Sequence, residues 1–225
     1  MNPVVILLGS LVFVLFYFLY INYFTQKVLA DKIDLNTQSP AIAYDTLPNP
    51  GASRYSYGVW IYVNSWTNTA SKYIFSRTAV STTGTSSDDI SLYLDANSPK
   101  LYFNIKMSDS SVTTIPITNN FPIQKWTHVI ASVDNKIADF YLDGKLVLSK
   151  QLTNQPIISS SPIQIGKQPN DIFLAKFYRW TYPMDPQTAW NEYMGGNGQS
   201  AILPNYGMKV SLLKDNVINK QISLF

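Results

Sequence analysis

Two hundred and twenty-five residues with a net charge of +3 and no run of Lys or Arg exclude a basic nucleic-acid stripe. The absence of cysteine excludes disulfides, a thiol nucleophile and a thiolate metal site. The length suits one domain with extras. Aromatic content equal to charged content, 14% each, with fifteen tyrosines, suits a sheet-rich protein with cross-strand aromatic pairs.

Residues 4–24 contain no charged side chain. At about 1.5 Å of rise per residue the stretch matches the ~30 Å hydrocarbon thickness of a bilayer. Val4, Leu8, Phe13, Phe16, Tyr20 and Phe24 run through it, with tyrosines crowding its C-terminal half as an aromatic belt would. It is expected to be an uncleaved single-pass anchor, residues 1–24. Lys27 and Lys32 follow the span and no Lys or Arg precedes it, which favours a cytosolic C-terminal domain. None of the eighteen asparagines stands in an Asn-x-Ser/Thr acceptor site, which points the same way.

Residues 25–50, with Pro40, Pro48 and Pro50, read as a stiffened tether. Residues 53–66 form the first clear strand, with Tyr55, Tyr57, Val59, Ile61 and Val63 on one side and Gly58, Trp60 and Tyr62 on the other. Residues 72–77 suit a short strand, and the polar stretch 79–89 a loop. Strands are expected at 90–95, 100–107 and 112–117. Residues 125–149 read as a three-stranded meander. Val129, Ala131 and Val133 alternate with His128, Ile130 and Ser132, and Asp143-Gly144 supplies a type I′ turn. Short strands follow at 157–158, 163–165 and 172–182. Asp185-Pro186 opens a helix as N-cap and first residue, and Gly195-Gly196 closes it. Residues 196–225 are expected to form a hairpin extension, in which Val210, Leu212, Leu213, Val217, Ile218, Ile222 and Leu224 need a partner surface.

Several of these residues carry a family resemblance. Trp126, His128 and Val129 in a W-x-H-V pattern, Tyr141-Leu142-Asp143-Gly144-Lys145, Trp60 in YGVWIYV and Gly166 in PIQIG resemble the laminin-G-like, concanavalin A-like lectin/glucanase superfamily in the family's own order. The resemblance covers residues 51–195. It implies an all-β, two-sheet antiparallel jelly-roll sandwich with one short C-terminal helix, and by itself implies no ligand.

Glycoside hydrolysis needs two carboxylates flanking the scissile bond. Glu192 is the sole glutamate, and it falls in the expected helix. His128 is the sole histidine and sits in the family pattern, so a catalytic triad has nothing else to be built on. No cofactor is expected, though calcium is conceivable: Asp88, Asp89, Asp95 and Asn97 could offer hard oxygen ligands, the alternative being ordinary solvated loops. Asp134 and Asp143 read as turn formers. Trp60, Trp66, Trp126, Trp180 and Trp190 include material for a sugar platform but suit core or helix docking better.

The expectation is therefore a non-enzymatic, membrane-anchored sandwich that docks onto protein partners. A lectin-like carbohydrate-binding receptor domain is the alternative. The whole pattern is similar to membrane proteins of large double-stranded DNA viruses, which implies a minor capsid or virion membrane role, with the domain beneath the capsid shell.

Overall fold

The computed structural model describes residues 3–20, 26–37, 39–66, 70–80, 86–198, 209–214 and 217–223. Helix α1 (Pro3–Tyr20) is followed by β1 (Gln26–Asp34), β2 (Arg54–Val63), β3 (Lys72–Val80), β4 (Ser86–Leu94), β5 (Leu101–Lys106) and β6 (Val112–Thr118). Then come β7 (Thr127–Asp134), β8 (Ile137–Leu142), β9 (Lys145–Gln151), β10 (Ile163–Ile165), β11 (Ile172–Trp180), helix α2 (Pro186–Met194), β12 (Lys209–Lys214) and β13 (Val217–Ser223). One sheet has the order β1-β11-β2-β7-β8-β9, the other β10-β3-β4-β5-β6, and β12-β13 form a separate hairpin.

Alternation along the strands builds the core between the two large sheets. Tyr57, Val59, Ile61 and Val63 of β2 and Val129, Ala131 and Val133 of β7 meet Phe75, Leu92, Phe103, Ile105 and Ile115 of the facing sheet. The opposite face of β2, β7, β8 and β11 would lie bare in water, but α2 and the segment before it cover it. Ile130, Tyr141, Trp180, Met184 and Ala189 form this second cluster. Gly58 is needed there, because a Cβ would lie 2.6 Å from the Trp180 ring.

Four expectations change. First, α1 is described over the eighteen residues Pro3–Tyr20, a rise of about 27 Å. Among the described residues no helix is long and apolar enough to cross a membrane. The anchor expected through Val4, Leu8, Phe13, Phe16, Tyr20 and Phe24 does not hold, nor does the single-pass placement with a cytosolic or virion-internal domain. Phe24 lies outside the described residues.

Second, the tether expected at 25–50 contributes edge strand β1, paired antiparallel with β11. Its continuation is pinned as well: Leu35 and Leu47 are buried, and the buried Arg179 guanidinium donates to the carbonyls of Pro48 and Asn49. Third, residues 79–80 and 86–89 of the stretch expected as a loop are strand, while 81–85 lie outside the described residues. Thr78, Ala79 and Val80 pair with Asp88, Ser87 and Ser86, so backbone pairing overrides the polar composition. Fourth, Trp126 is not a core residue. It lies half-buried against Tyr62, ring centroids 5.4 Å apart, outside the main core.

Candidate binding cleft at the sandwich rim

A cleft lies where the β8–β9 turn meets α2, and each wall has a local cause. Asp143 (φ 47°) and Gly144 (φ 73°) both adopt the left-handed conformation that a type I′ turn requires. The Asp143 carboxylate accepts from the His128 backbone N–H at 2.9 Å and from Lys125 Nζ at 3.0 Å. Its own N–H donates to the His128 carbonyl at 2.9 Å. A turn former thus also ties the hairpin to the start of β7. Gly144 is required twice over, since a Cβ would sit 3.0 Å from Trp190 Cε3 and 3.0 Å from Tyr193 Cβ.

Helix α2 is held at both ends. Asp185 caps it, its carboxylate accepting from the Gln187 and Thr188 N–H groups at 3.0 Å, and Pro186 occupies the first turn. At the other end Lys176 Nζ donates to the Gly195 and Gly196 carbonyls at 3.0 and 2.8 Å, placing a cation on the negative pole of the helix. Ala189 faces the sheet and is fully buried, while Trp190 stands at the rim with 40% of its surface exposed.

Beneath the helix, Trp60, His128 and Tyr193 stack, with Trp60–His128 centroids 4.9 Å apart and Trp60–Tyr193 5.6 Å apart. His128 is 2% exposed. Burial pushes its pKa down to about 4, against a smaller opposing pull from Asp143, so the ring is neutral at pH 7. Tyr141 donates to the Met184 carbonyl at 2.9 Å, and burial, reinforced by Asp139 and Asp185, raises its hydroxyl to about 12. Trp60, His128 and Tyr141 support the site rather than line it, while Tyr193 does both.

The cleft encloses about 480 Å³. Trp190, Tyr193, Leu142 and Pro122 supply apolar wall, while Lys125, Lys145, Asp143, Asn120 and Thr127 supply hydrogen-bonding groups. Asp143 is the one carboxylate lining it. Its hydrogen bond to Lys125 and its charge hold the lysine above its ordinary pKa. Donors and acceptors therefore converge beside an exposed aromatic surface, an arrangement suited to recognition.

The other sequence candidates lie elsewhere and are separately engaged. Asp88 accepts from Lys167 Nζ at 2.6 and 2.8 Å and from Thr78 Oγ1 at 2.7 Å. Asp89 is 3% exposed and accepts from Ser159 and Ser161 hydroxyls, with Lys106 Nζ 3.8 Å away. Asp95 closes its own turn through Ser98 Oγ at 2.7 Å, a bond that lowers its pKa, and Asn97 is exposed beside it. Among the described residues no group of three or more His, Cys, Asp or Glu could hold a metal ion. Glu192 is half-buried in α2, where desolvation raises its pKa against the opposing charge of Lys176. Lys125, Lys145, Trp190 and Tyr193 are the residues that sequence reasoning missed as a group. The only signal was the spacing of Trp190 and Tyr193 along a capped short helix.

Two antiparallel sheets around one core, with a helix on the outer face of one of them, define a concanavalin A-like sandwich. A model of the concanavalin A-like lectin/glucanases superfamily, of the laminin G type, matches residues 36–200, and the chain belongs to that family. No curated protein matches the chain. Among solved structures it is similar to the binding domain of botulinum neurotoxin DC in complex with rat synaptotagmin II (18% identity, TM-score 0.52). It is also similar to that binding domain in complex with SialylT (18%, TM-score 0.53). Each match covers 67% of this chain and 38% of the other. The serotype D binding domain is similar at 10% identity and TM-score 0.52, over 65% of this chain and 38% of its own length. At these identities the likeness establishes the fold, and the chain spans well under half the length of these structures.

Proposed function

We propose that the protein is a lectin-like, non-enzymatic recognition domain that binds a saccharide in the Trp190 cleft. The observation that carries this reading is the exposed Trp190 ring beside the Lys125–Asp143 pair. A sugar offers an apolar C–H face to the ring and hydroxyls to mixed donors and acceptors, and this cleft provides both. Similar folds have been solved with a ligand named SialylT and with synaptotagmin II, so the fold is compatible with glycan and protein partners alike. The cleft chemistry favours the glycan. Lys125 and Asp143, locked together at 3.0 Å, present a donor and an acceptor side by side, which matches a vicinal diol. On a glycan array, the full chain is expected to retain a defined subset of sugars. Trp190→Ala weakens that retention about tenfold or more, the loss of roughly 1.4 kcal/mol. An array without retained sugars, or retention indifferent to Trp190, overturns the proposal.

A second reading, a structural assembly protein such as a minor capsid component of a large DNA virus, rests on α1. Leu7, Leu11, Phe13 and Phe16 are each more than half exposed, an apolar surface that a protein partner would cover. Deleting residues 3–20 would abolish assembly under this reading and leave sugar retention unchanged under the first.

A further inference from the structure

At the end of β2 remote from His128, the core between the sheets holds a polar cluster that hydrophobic packing does not explain. Tyr55 and Tyr57 belong to the buried core there, their ring centroids 5.5 Å apart at 67°. Arg179 of β11 pairs with Tyr57 of β2, and strand alternation puts both on the same side. Its guanidinium carbon lies 5.8 Å from the Tyr55 ring and 5.9 Å from the Tyr57 ring. Arg77 comes from β3 of the facing sheet. Both arginines are buried, Arg77 at 3% exposure and Arg179 at 1%.

The guanidiniums are bonded to neutral main-chain carbonyls. Arg77 donates to Ser161 at 3.0 and 2.8 Å and to Ser159 at 2.8 Å, and Arg179 donates to Pro48 and Asn49. Among the described residues neither has a carboxylate within ion-pair reach. Asp89, the one buried carboxylate among them, accepts from the Ser159 and Ser161 hydroxyls and is shared with Lys106 Nζ, 3.8 Å away. A buried cation held by neutral acceptors keeps much of its desolvation cost. Three further atoms of the cluster, Tyr55 Oη, Tyr57 Oη and Arg179 Nε, are buried without a hydrogen-bond partner, and all three can donate. Burial and Tyr57 raise the Tyr55 pKa against the opposing pull of Arg77 and Arg179, so its hydroxyl keeps its proton within the field of both guanidiniums.

We propose that this cluster is a buried binding site for a small inorganic anion of the chloride type, held by Arg179 Nε and the Tyr55 and Tyr57 hydroxyls beside Arg77. Three unmet donors next to two uncompensated cations require an acceptor that carries negative charge. A water molecule accepts, yet leaves both charges unbalanced. A single spherical ion accepts from three donors in any orientation, whereas a tetrahedral oxyanion brings four oxygens and needs more donors than the cluster offers. The bound ion stabilises the arginines that fasten residues 48–49 to β11 and residues 159–161 to β3.

The test is urea denaturation of the full chain as sodium chloride replaces sodium gluconate at constant ionic strength, gluconate being too bulky for the cluster. The midpoint is expected to rise along a saturable curve, as an ion that binds the native state alone requires. Tyr55→Phe removes a donor that has no protein partner to lose. It should raise the half-saturating chloride concentration about fivefold while leaving the midpoint in gluconate at or above that of the parent. In crystals grown with bromide, an anomalous peak is expected beside Arg179 Nε. The inference is overturned if the midpoint ignores the replacement, as a site filled by water would give. It is equally overturned if Tyr55→Phe responds to chloride as the parent does, as a surface site would give, or if the bromide peak is absent from the cluster.

Discussion

His128 gives the sharpest quantitative prediction. Its buried ring stacks on Trp60, with Tyr193 close by, and its pKa falls from 6.5 to about 4, chiefly through burial. The native state therefore resists a proton that the unfolded chain accepts. Stability is fully present above the unfolded value of 6.5, is lost progressively as pH falls toward 4, and loses nothing more from this group below that. From the two pKa values, the loss between pH 7 and pH 5 is about 2 kcal/mol, and the full loss about 3 kcal/mol. Urea denaturation at pH 7 and pH 5, on the parent and on His128→Phe, isolates this group. The variant keeps an aromatic ring in the stack and cannot titrate. The parent should lose about 2 kcal/mol more than the variant across that interval. Equal losses in the two proteins would refute the assignment of a buried, neutral His128 under α2.

Three further substitutions test the architecture that holds the cleft, each by denaturant midpoint against the parent. Gly144→Ala should destabilise by about 1–3 kcal/mol, through a positive φ and a Cβ pressed onto Trp190 and Tyr193, and should also weaken ligand binding. Gly58→Ala should cost about 1–3 kcal/mol by displacing the Trp180 ring while leaving the β8–β9 turn untouched. Asp185→Ala should cost about 1 kcal/mol through loss of the α2 cap, with Asp185→Asn recovering most of it.

Much of the fold was legible in side-chain alternation. Tyr57, Val59 and Ile61 point into the main core while Trp60 lies under α2, as the period of β2 requires, and the Asp185-Pro186 start of α2 followed from capping chemistry. What escaped depended on pairing partners that composition does not name. Lys27, Asp31 and Lys32 make 26–34 look like a tether, yet an edge strand tolerates charge, and β11 supplies the backbone partners. Trp126 belongs to the family motif, but it sits just before β7 and rests on Tyr62 beside Phe173. The cleft was illegible because its walls come from residues 120–127, 142–145 and 190–193, which only the packing of α2 brings together.

The central claim is that a saccharide meets the Trp190 ring. Tryptophan emission of the full chain, titrated with the strongest sugar from the array, tests it most directly when repeated on Trp190→Phe. A saturable change in emission is expected in the parent and is absent in the variant. An unchanged parent spectrum at sugar concentrations that saturate binding would contradict it, as would the same change persisting in Trp190→Phe.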